Sequence, residues 1–212
     1  MTSHPNLTVL DHPLVQHKLA ALRDRATPPQ VFKELVDEIA MLMAYEVTGD
    51  LPLHDVDVET PLERSTGRRV EERKLVFVPI LRAGLGMVGG VVRLAPEARI
   101  GHVGLQRSEA TLEPERYFFK MPEPEDGQRH VVLDPMLATG GTATAAIDAL
   151  EEWGAERIRF MCLVASPEGV ERVGAAHPEV TIFAASLDRG LSDEGYVVPG
   201  LGDAGDRLFG TR

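Results

Sequence analysis

The chain reads as an α/β protein built on a parallel sheet covered by helices. Three observations lead there. From residue 130 onward, apolar runs alternate with helical patterns: strand 130–133, helix 140–153, strand 157–165, helix 167–176 and strand 180–185. That rhythm is the product of βαβ units, because parallel neighbours need a crossover between them. The strand runs are also near-continuous in Val, Leu, Ile and Phe, as in strands buried on both faces. Finally, three glycine-bearing turns follow apolar runs, and sheets of this kind bind ligands beyond the carboxyl ends of their strands.

The 212 residues suit a single domain, and 43% apolar residues can fill its core. In chain order, residues 14–22 form a first helix with Asp11 or His12 near its cap. Pro28-Pro29 opens a second helix. Val31, Leu35, Ile39, Leu42 and Met43 recur along it at helical spacing, and Thr48-Gly49-Asp50 ends it. Residues 51–74 are polar and turn-rich, with Pro52, Pro61 and Gly67, and are expected to make a hairpin or arm. A buried strand at 75–79, a glycine-studded helix at 84–94 and a strand at 100–105 follow. Residues 106–128 carry dense charge and prolines around Tyr117-Phe118-Phe119, which fits a long loop or mobile hairpin acting as a lid. Pro167 occupies the first turn of its helix.

Several functions are disfavoured. No run approaches the ~18 apolar residues of a membrane span. Residues 1–10 lack the basic-then-apolar order of a secretory leader. The lone Cys162 cannot form an internal disulfide, which fits a reducing cytoplasm. Its run Phe160-Met161-Cys162-Leu163-Val164 suggests a buried core thiol rather than a nucleophile. Net charge is −11 without a dense Lys/Arg cluster, which argues against a nucleic-acid partner. A few local donors can still hold a phosphate in an acidic protein.

Three segments carry chemistry. The first is Asp134-Pro135-Met136-Leu137-Ala138-Thr139-Gly140-Gly141-Thr142, which leaves a strand and enters a helix. Amides at a helix start lack internal partners and attract anions. The glycines permit close approach, and the threonine hydroxyls add donors. Asp134, itself negative, suits sugar hydroxyls better than phosphate. No Lys follows the glycines and no G-x-G-x-x-G occurs, so the P-loop and dinucleotide patterns are excluded. An ordinary strand-to-helix turn with a threonine cap would read similarly. The second segment, residues 78–86, places Arg82 beside a helix start, where it could clamp a pyrophosphate or simply cap the helix at the surface. The third, residues 195–206, is rich in glycine and can present backbone edges to a planar base. A flexible tail is the plain alternative, weakened by the apolar pair Leu208-Phe209.

Together these segments resemble the bacterial uracil phosphoribosyltransferases. The match runs through residues 78–86, 106–115, 134–142, Pro167-Glu168-Gly169 and 195–210, in the family's order. Pro135 stands where most phosphoribosyltransferase loops carry a second acid, a departure the uracil branch shares. The resemblance implies the type I phosphoribosyltransferase fold: a mostly parallel sheet flanked by helices, with a small hood and a β-arm. It implies one domain over 1–212, with N-terminal helices at 1–50, the arm at 51–74, the core at 75–190, the lid at 106–128 and a uracil-binding hood at 191–212. It implies conversion of uracil and 5-phosphoribosyl 1-diphosphate (PRPP) to UMP and diphosphate.

PRPP would be bound by Arg82, Arg107, Asp134, Pro135, Met136, Leu137, Ala138, Thr139, Gly140, Gly141, Thr142 and Asp203. Uracil would be bound by Val197, Gly202, Asp203 and Ala204, with Arg82, Arg107, Asp134 and Asp203 as the catalytic set. Mg²⁺ would arrive mainly on the PRPP diphosphate, with no residue assigned as a metal ligand. A non-proline cis peptide between Leu81 and Arg82 belongs to the same pattern. The resemblance also suggests a homodimer or larger assembly and admits a GTP effector. A non-catalytic nucleotide-sensing regulator on the same fold is the competing reading.

Overall fold

The computed structural model describes residues 4–107 and 114–211. A short strand β1 (Leu7–Val9) leads into helices α1 (Pro13–Arg23) and α2 (Pro29–Val47). The hairpin of β2 (Leu53–Glu59) and β3 (Arg64–Val70) follows, paired antiparallel along its whole length. Next come β4 (Leu75–Leu81), α3 (Leu85–Leu94), β5 (Arg99–Ile100), β6 (His102–Arg107) and β7 (Pro114–Lys120). The second half runs β8 (Arg129–Leu133), β9 (Met136–Leu137), α4 (Gly141–Trp153), β10 (Ile158–Ala165), α5 (Pro167–Ala176) and β11 (Thr181–Leu187). The chain closes with β12 (Gly190–Leu191), β13 (Val197–Val198) and α6 (Ala204–Phe209).

The main sheet has the order β1-β11-β10-β8-β4-β6-β7, with β5 beside β4 and β9 beside β10. Every pairing in it is parallel except β6 with β7, where a register shift at Gly104/Leu105 bends the edge. The continuous apolar runs are sorted by the pleat. Leu75, Phe77, Val131, Leu133, Met161 and Leu163 face one core, which α1, α2 and α3 cover. Val76, Val78, Val132, Phe160 and Cys162 face the other, under α4 and α5. Burying such a side chain stabilises by about 1.5–3 kcal/mol, so a sheet filled on both faces needs no alternation of polarity.

Three expectations shift. Val31 is exposed, and Phe32, Val36, Ala40 and Ala44 supply the buried stripe of α2 with Leu35, Ile39 and Met43. The helical face is therefore rotated by one residue from the sequence reading. Strand β1 was not expected, because three residues carry too little pattern; its parallel pairing with β11 defines it. Strand β9 sits inside a segment that read as loop. The lid segment is partly a strand pair, β6 with β7, and its residues 108–113 lie outside the described part. Among the described residues no helix is long and apolar enough to cross a membrane.

Helices α2 and α3 touch backbone to backbone. A Cβ on Gly90 would lie 2.0 Å from the carbonyl oxygen of Asp37, and the Gly90 N–H donates to Asp37 Oδ1 at 3.1 Å. Gly90→Ala should therefore force the helices apart and destabilise the protein by about 1–3 kcal/mol, measured by urea unfolding.

Candidate active site

The loop after β8 spends several of its carbonyls on the neighbouring strand and helix. The Pro135 carbonyl accepts from Leu163 N at 3.0 Å and Val164 N at 3.2 Å, at the end of β10. The Leu137 carbonyl accepts from Ser166 N at 2.9 Å, and the Ala138 carbonyl from Ser166 Oγ at 2.6 Å. Ser166 also caps α5, its hydroxyl accepting from Gly169 N at 2.9 Å. A Cβ on Gly169 would lie 2.3 Å from the Ala138 carbonyl oxygen, so only glycine lets α5 come this close. Gly140, with φ of 78°, then starts α4 without a side-chain cap. The first amides of this 13-residue helix are left for a ligand, with Thr139 half-buried and Thr142 exposed beside them.

Asp134 ends the β8 run, half-buried. Burial pushes its carboxyl up to about 7, opposed only by the backbone amide of Met136. The pair Asp134 and Thr142 thus separates an acid that resists ionisation from a turn that invites negative charge. Met136, Leu137, Ala138, Thr139 and Gly140 line the same cavity of about 470 Å³, opposite Glu194 and Tyr196.

The second segment meets the first edge to edge. The Leu81–Arg82 peptide is cis, as the family resemblance implied. Gly84 N donates to the Ile80 carbonyl at 2.9 Å, and a Cβ on Gly84 would lie 2.3 Å from the Leu133 carbonyl oxygen. The turn carrying Arg82 is therefore pressed against the strand end that carries Asp134. Arg82 itself is exposed, and its guanidinium stands 5.9 Å from the ring centroid of Phe209. Phe209 is accordingly not a buried anchor of the C-terminus; Leu208 alone fills that role, against Gly86 of α3. Arg107 ends β6, and its side chain lies outside the described part.

The third segment is ordered rather than a tail. Strands β12 and β13 pair antiparallel, the Val198–Pro199 peptide is cis, and Gly200 turns with φ of 61°. Asp203 caps α6, its Oδ1 accepting from Asp206 N at 2.9 Å. Val197 and Ala204 are buried, whereas Gly202 and Asp203 are exposed, so a ligand here meets backbone more than side chain. Gly205 comes within 3.9 Å of the Ala83 side chain, measured from an added Cβ, which places α6 against the Arg82 turn. Gly195 similarly faces Thr139.

Sequence reading missed the group that fixes this hood. Asp188 is buried and takes a bidentate pair from Arg23, at 2.6 Å and 2.8 Å. It also accepts from Gly200 N at 2.8 Å and Ser186 Oγ at 2.8 Å. Burial alone would raise its pKa, but Arg23, Ser186 and the Gly200 amide together hold it below the usual carboxylate range. Arg23 and Asp188 are 165 positions apart, and no local pattern connects them. A further cavity, of about 310 Å³, opens at the opposite end of the sheet near Asp50, Arg129 and Arg159. There Asp50 already bridges both arginines, and hydrogen bonding to Arg159 drives its carboxyl well down, so its charges are spent on each other.

Two outcomes follow. Arg23→Leu leaves a buried carboxylate without its cation and should cost about 3–5 kcal/mol in urea unfolding. Asp134→Asn should do the reverse. A carboxyl raised in the folded state weakens folding progressively from the unfolded value near 3.8 up to about 7, and fully above that. At pH 8 the variant should exceed the parent by as much as about 4 kcal/mol, and the gap should close below pH 4.

Comparison with known proteins agrees with this geometry. The family model for uracil phosphoribosyltransferase matches residues 9–211. A uracil phosphoribosyltransferase of Macrococcus caseolyticus is 57% identical over 204 residues, 96% of this chain and 98% of that protein. The solved structure of the AQ2163 protein from Aquifex aeolicus superposes with a TM-score of 0.92 at 36% identity, covering 97% of this chain and 98% of that one. An adenine phosphoribosyl transferase from Trypanosoma brucei, at 14% identity and a TM-score of 0.56, shares the fold alone. The fold is that of the type I phosphoribosyltransferases, and the chain belongs to the uracil phosphoribosyltransferase family.

Proposed function

We propose that this protein transfers the 5-phosphoribosyl group of PRPP to uracil, giving UMP and diphosphate. The observation that carries this reading is the meeting of three segments at the carboxyl ends of one sheet. An uncapped helix start, an exposed arginine and a backbone-lined hood converge around one half-buried carboxylate. The names of the relatives favour the enzyme, and no observation favours the nucleotide-sensing regulator.

In this reading the amides and hydroxyls from Ala138 to Thr142 hold the 5-phosphate, and the Asp134 carboxylate accepts from the ribose hydroxyls. Arg82 faces the diphosphate, and Arg107 joins it by the family pattern. The C1–diphosphate bond breaks with its electron pair leaving on oxygen, while uracil N1 bonds to C1 from the other face and gives up its proton to the Asp203 carboxylate and from there to water. Arg82 stabilises the charge that grows on the departing diphosphate. Backbone at Val197 and Gly202-Asp203-Ala204 orients the base.

The donor set suits Mg²⁺ carried by substrate. Asp134 and Asp203 are hard oxygen ligands, but Pro135 removes the paired acid that would cage an ion, so the diphosphate oxygens and water would complete its shell. When bound, Mg²⁺ neutralises part of the diphosphate charge. We assign the protein to the cytoplasm, consistent with the buried free Cys162, whose thiol burial pushes up. We also assign it a homo-oligomer whose interface draws on the hairpin and α2, where Leu62 and Tyr45 are exposed.

An assay with PRPP, Mg²⁺ and each of uracil, cytosine, orotate and hypoxanthine should yield UMP from uracil alone; product from no base would defeat the proposal. Adding GTP to the same assay tests for an effector. Arg82→Ala should lower kcat by about 10²–10³-fold, the loss typical of one charge-stabilising donor. Because Asp134 must be ionised to accept, kcat/KM for PRPP should fall as pH drops below about 7. Asp134→Asn should remove that limb of the profile along with most of the turnover.

A further inference from the structure

We propose that the junction of α4 and α5 is a divalent-cation site, formed by His177 and Asp148 and oriented by Glu151. His177 closes α5 and is 4% exposed. Its Nε2 is buried with no hydrogen-bond partner among the described residues and lies 3.2 Å from Asp148 Oδ1. Its Nδ1 lies 3.2 Å from Glu151 Oε1. Asp148 and Glu151 are three residues apart on α4, on one face of the helix, and both are exposed.

A neutral imidazole has one donor and one acceptor nitrogen. Each ring nitrogen faces a carboxylate oxygen 3.2 Å away. That pair of contacts is met either by a second proton on the ring or by a cation on one nitrogen, and the proposal is the cation, seated between Nε2 and Asp148. Nitrogen and oxygen ligands at about 2.0–2.1 Å from a tetrahedral ion stand about 3.3 Å apart, close to the Nε2–Oδ1 separation. The Nδ1–H donated to Glu151 then makes the carboxylate–histidine–metal arrangement that fixes tautomer and ring orientation. Imidazole with carboxylate selects Zn²⁺, Co²⁺ or Ni²⁺ over Mg²⁺. No Cys/His spacing marks the pair in the sequence. The site lies about two turns along α4 from the phosphate loop, so the ion clips two helices together and takes no part in transfer.

Chelator-stripped protein, titrated with Co²⁺ without PRPP, should bind one ion per chain with a visible absorption band. Zn²⁺ should displace it and raise Tm. Glu151→Gln should weaken Co²⁺ binding about 10–100-fold. Asp148→Asn, an exposed position, should abolish both the band and the Zn²⁺ shift in Tm while leaving uracil phosphoribosylation in excess Mg²⁺ unchanged. Absence of a band in the parent protein, or an identical titration of parent and Asp148→Asn, overturns the proposal.

Discussion

The buried carboxylate of Asp188 is the constraint on which the arrangement at the sheet's carboxyl end depends. It follows β11 directly and is bonded to α1 through Arg23, to the hood through the Gly200 amide and to the strand end through Ser186. A buried charge of this kind is tolerable only when nearly every lone pair is satisfied. Satisfying it fixes where α1 ends and where the hood turns. Arg207 extends the same logic, donating to the carbonyls of Leu201 and Asp24 while its guanidinium lies 4.1 Å from the Phe32 ring centroid. The hood is thereby attached to α1 and α2 as well as to the sheet.

The loop after β8, proposed to hold the 5-phosphate, solves a different problem. A loop that offers amides to a ligand must dispose of its carbonyls, and here they are consumed by the end of β10 and by Ser166. Glycines at 140 and 169 follow from that choice. The first needs a left-handed backbone, and the second allows a helix to rest on a carbonyl oxygen. Rigidity of the loop thus comes from backbone pairing and close approach, leaving the side chains of Asp134, Thr139 and Thr142 available.

Asp134 illustrates a conflict between stability and function. Its burial at the strand end opposes ionisation, whereas the role proposed for it, accepting from ribose hydroxyls, calls for the ionised form. Under that proposal, a substrate bringing hydroxyl donors and positive charge would relieve the opposition, directing part of its binding energy to the acid. Sites where sequence and local energetics disagree in this way are where function is expected to reside.

The sequence by itself determined the α/β class, the paired strand runs, the helix starts marked by Pro29 and Pro167, and the three segments that the fold brings to one end of the sheet. These are local signals: continuous apolar runs, proline at first turns, glycine where the backbone must turn or be approached. The bond state at Leu81–Arg82 was legible only through family resemblance. Tertiary structure alone decided the phase of α2, the pairing of β1 with β11, the ordering of the C-terminal segment into a hood, and the Arg23–Asp188 pair. It also separated Leu208, buried against Gly86, from Phe209, which stands by Arg82. The reason is the same in each case. These features are fixed by contacts between residues far apart in the chain, and a charge, a three-residue strand or an exposed aromatic carries no local mark of the partner that will meet it.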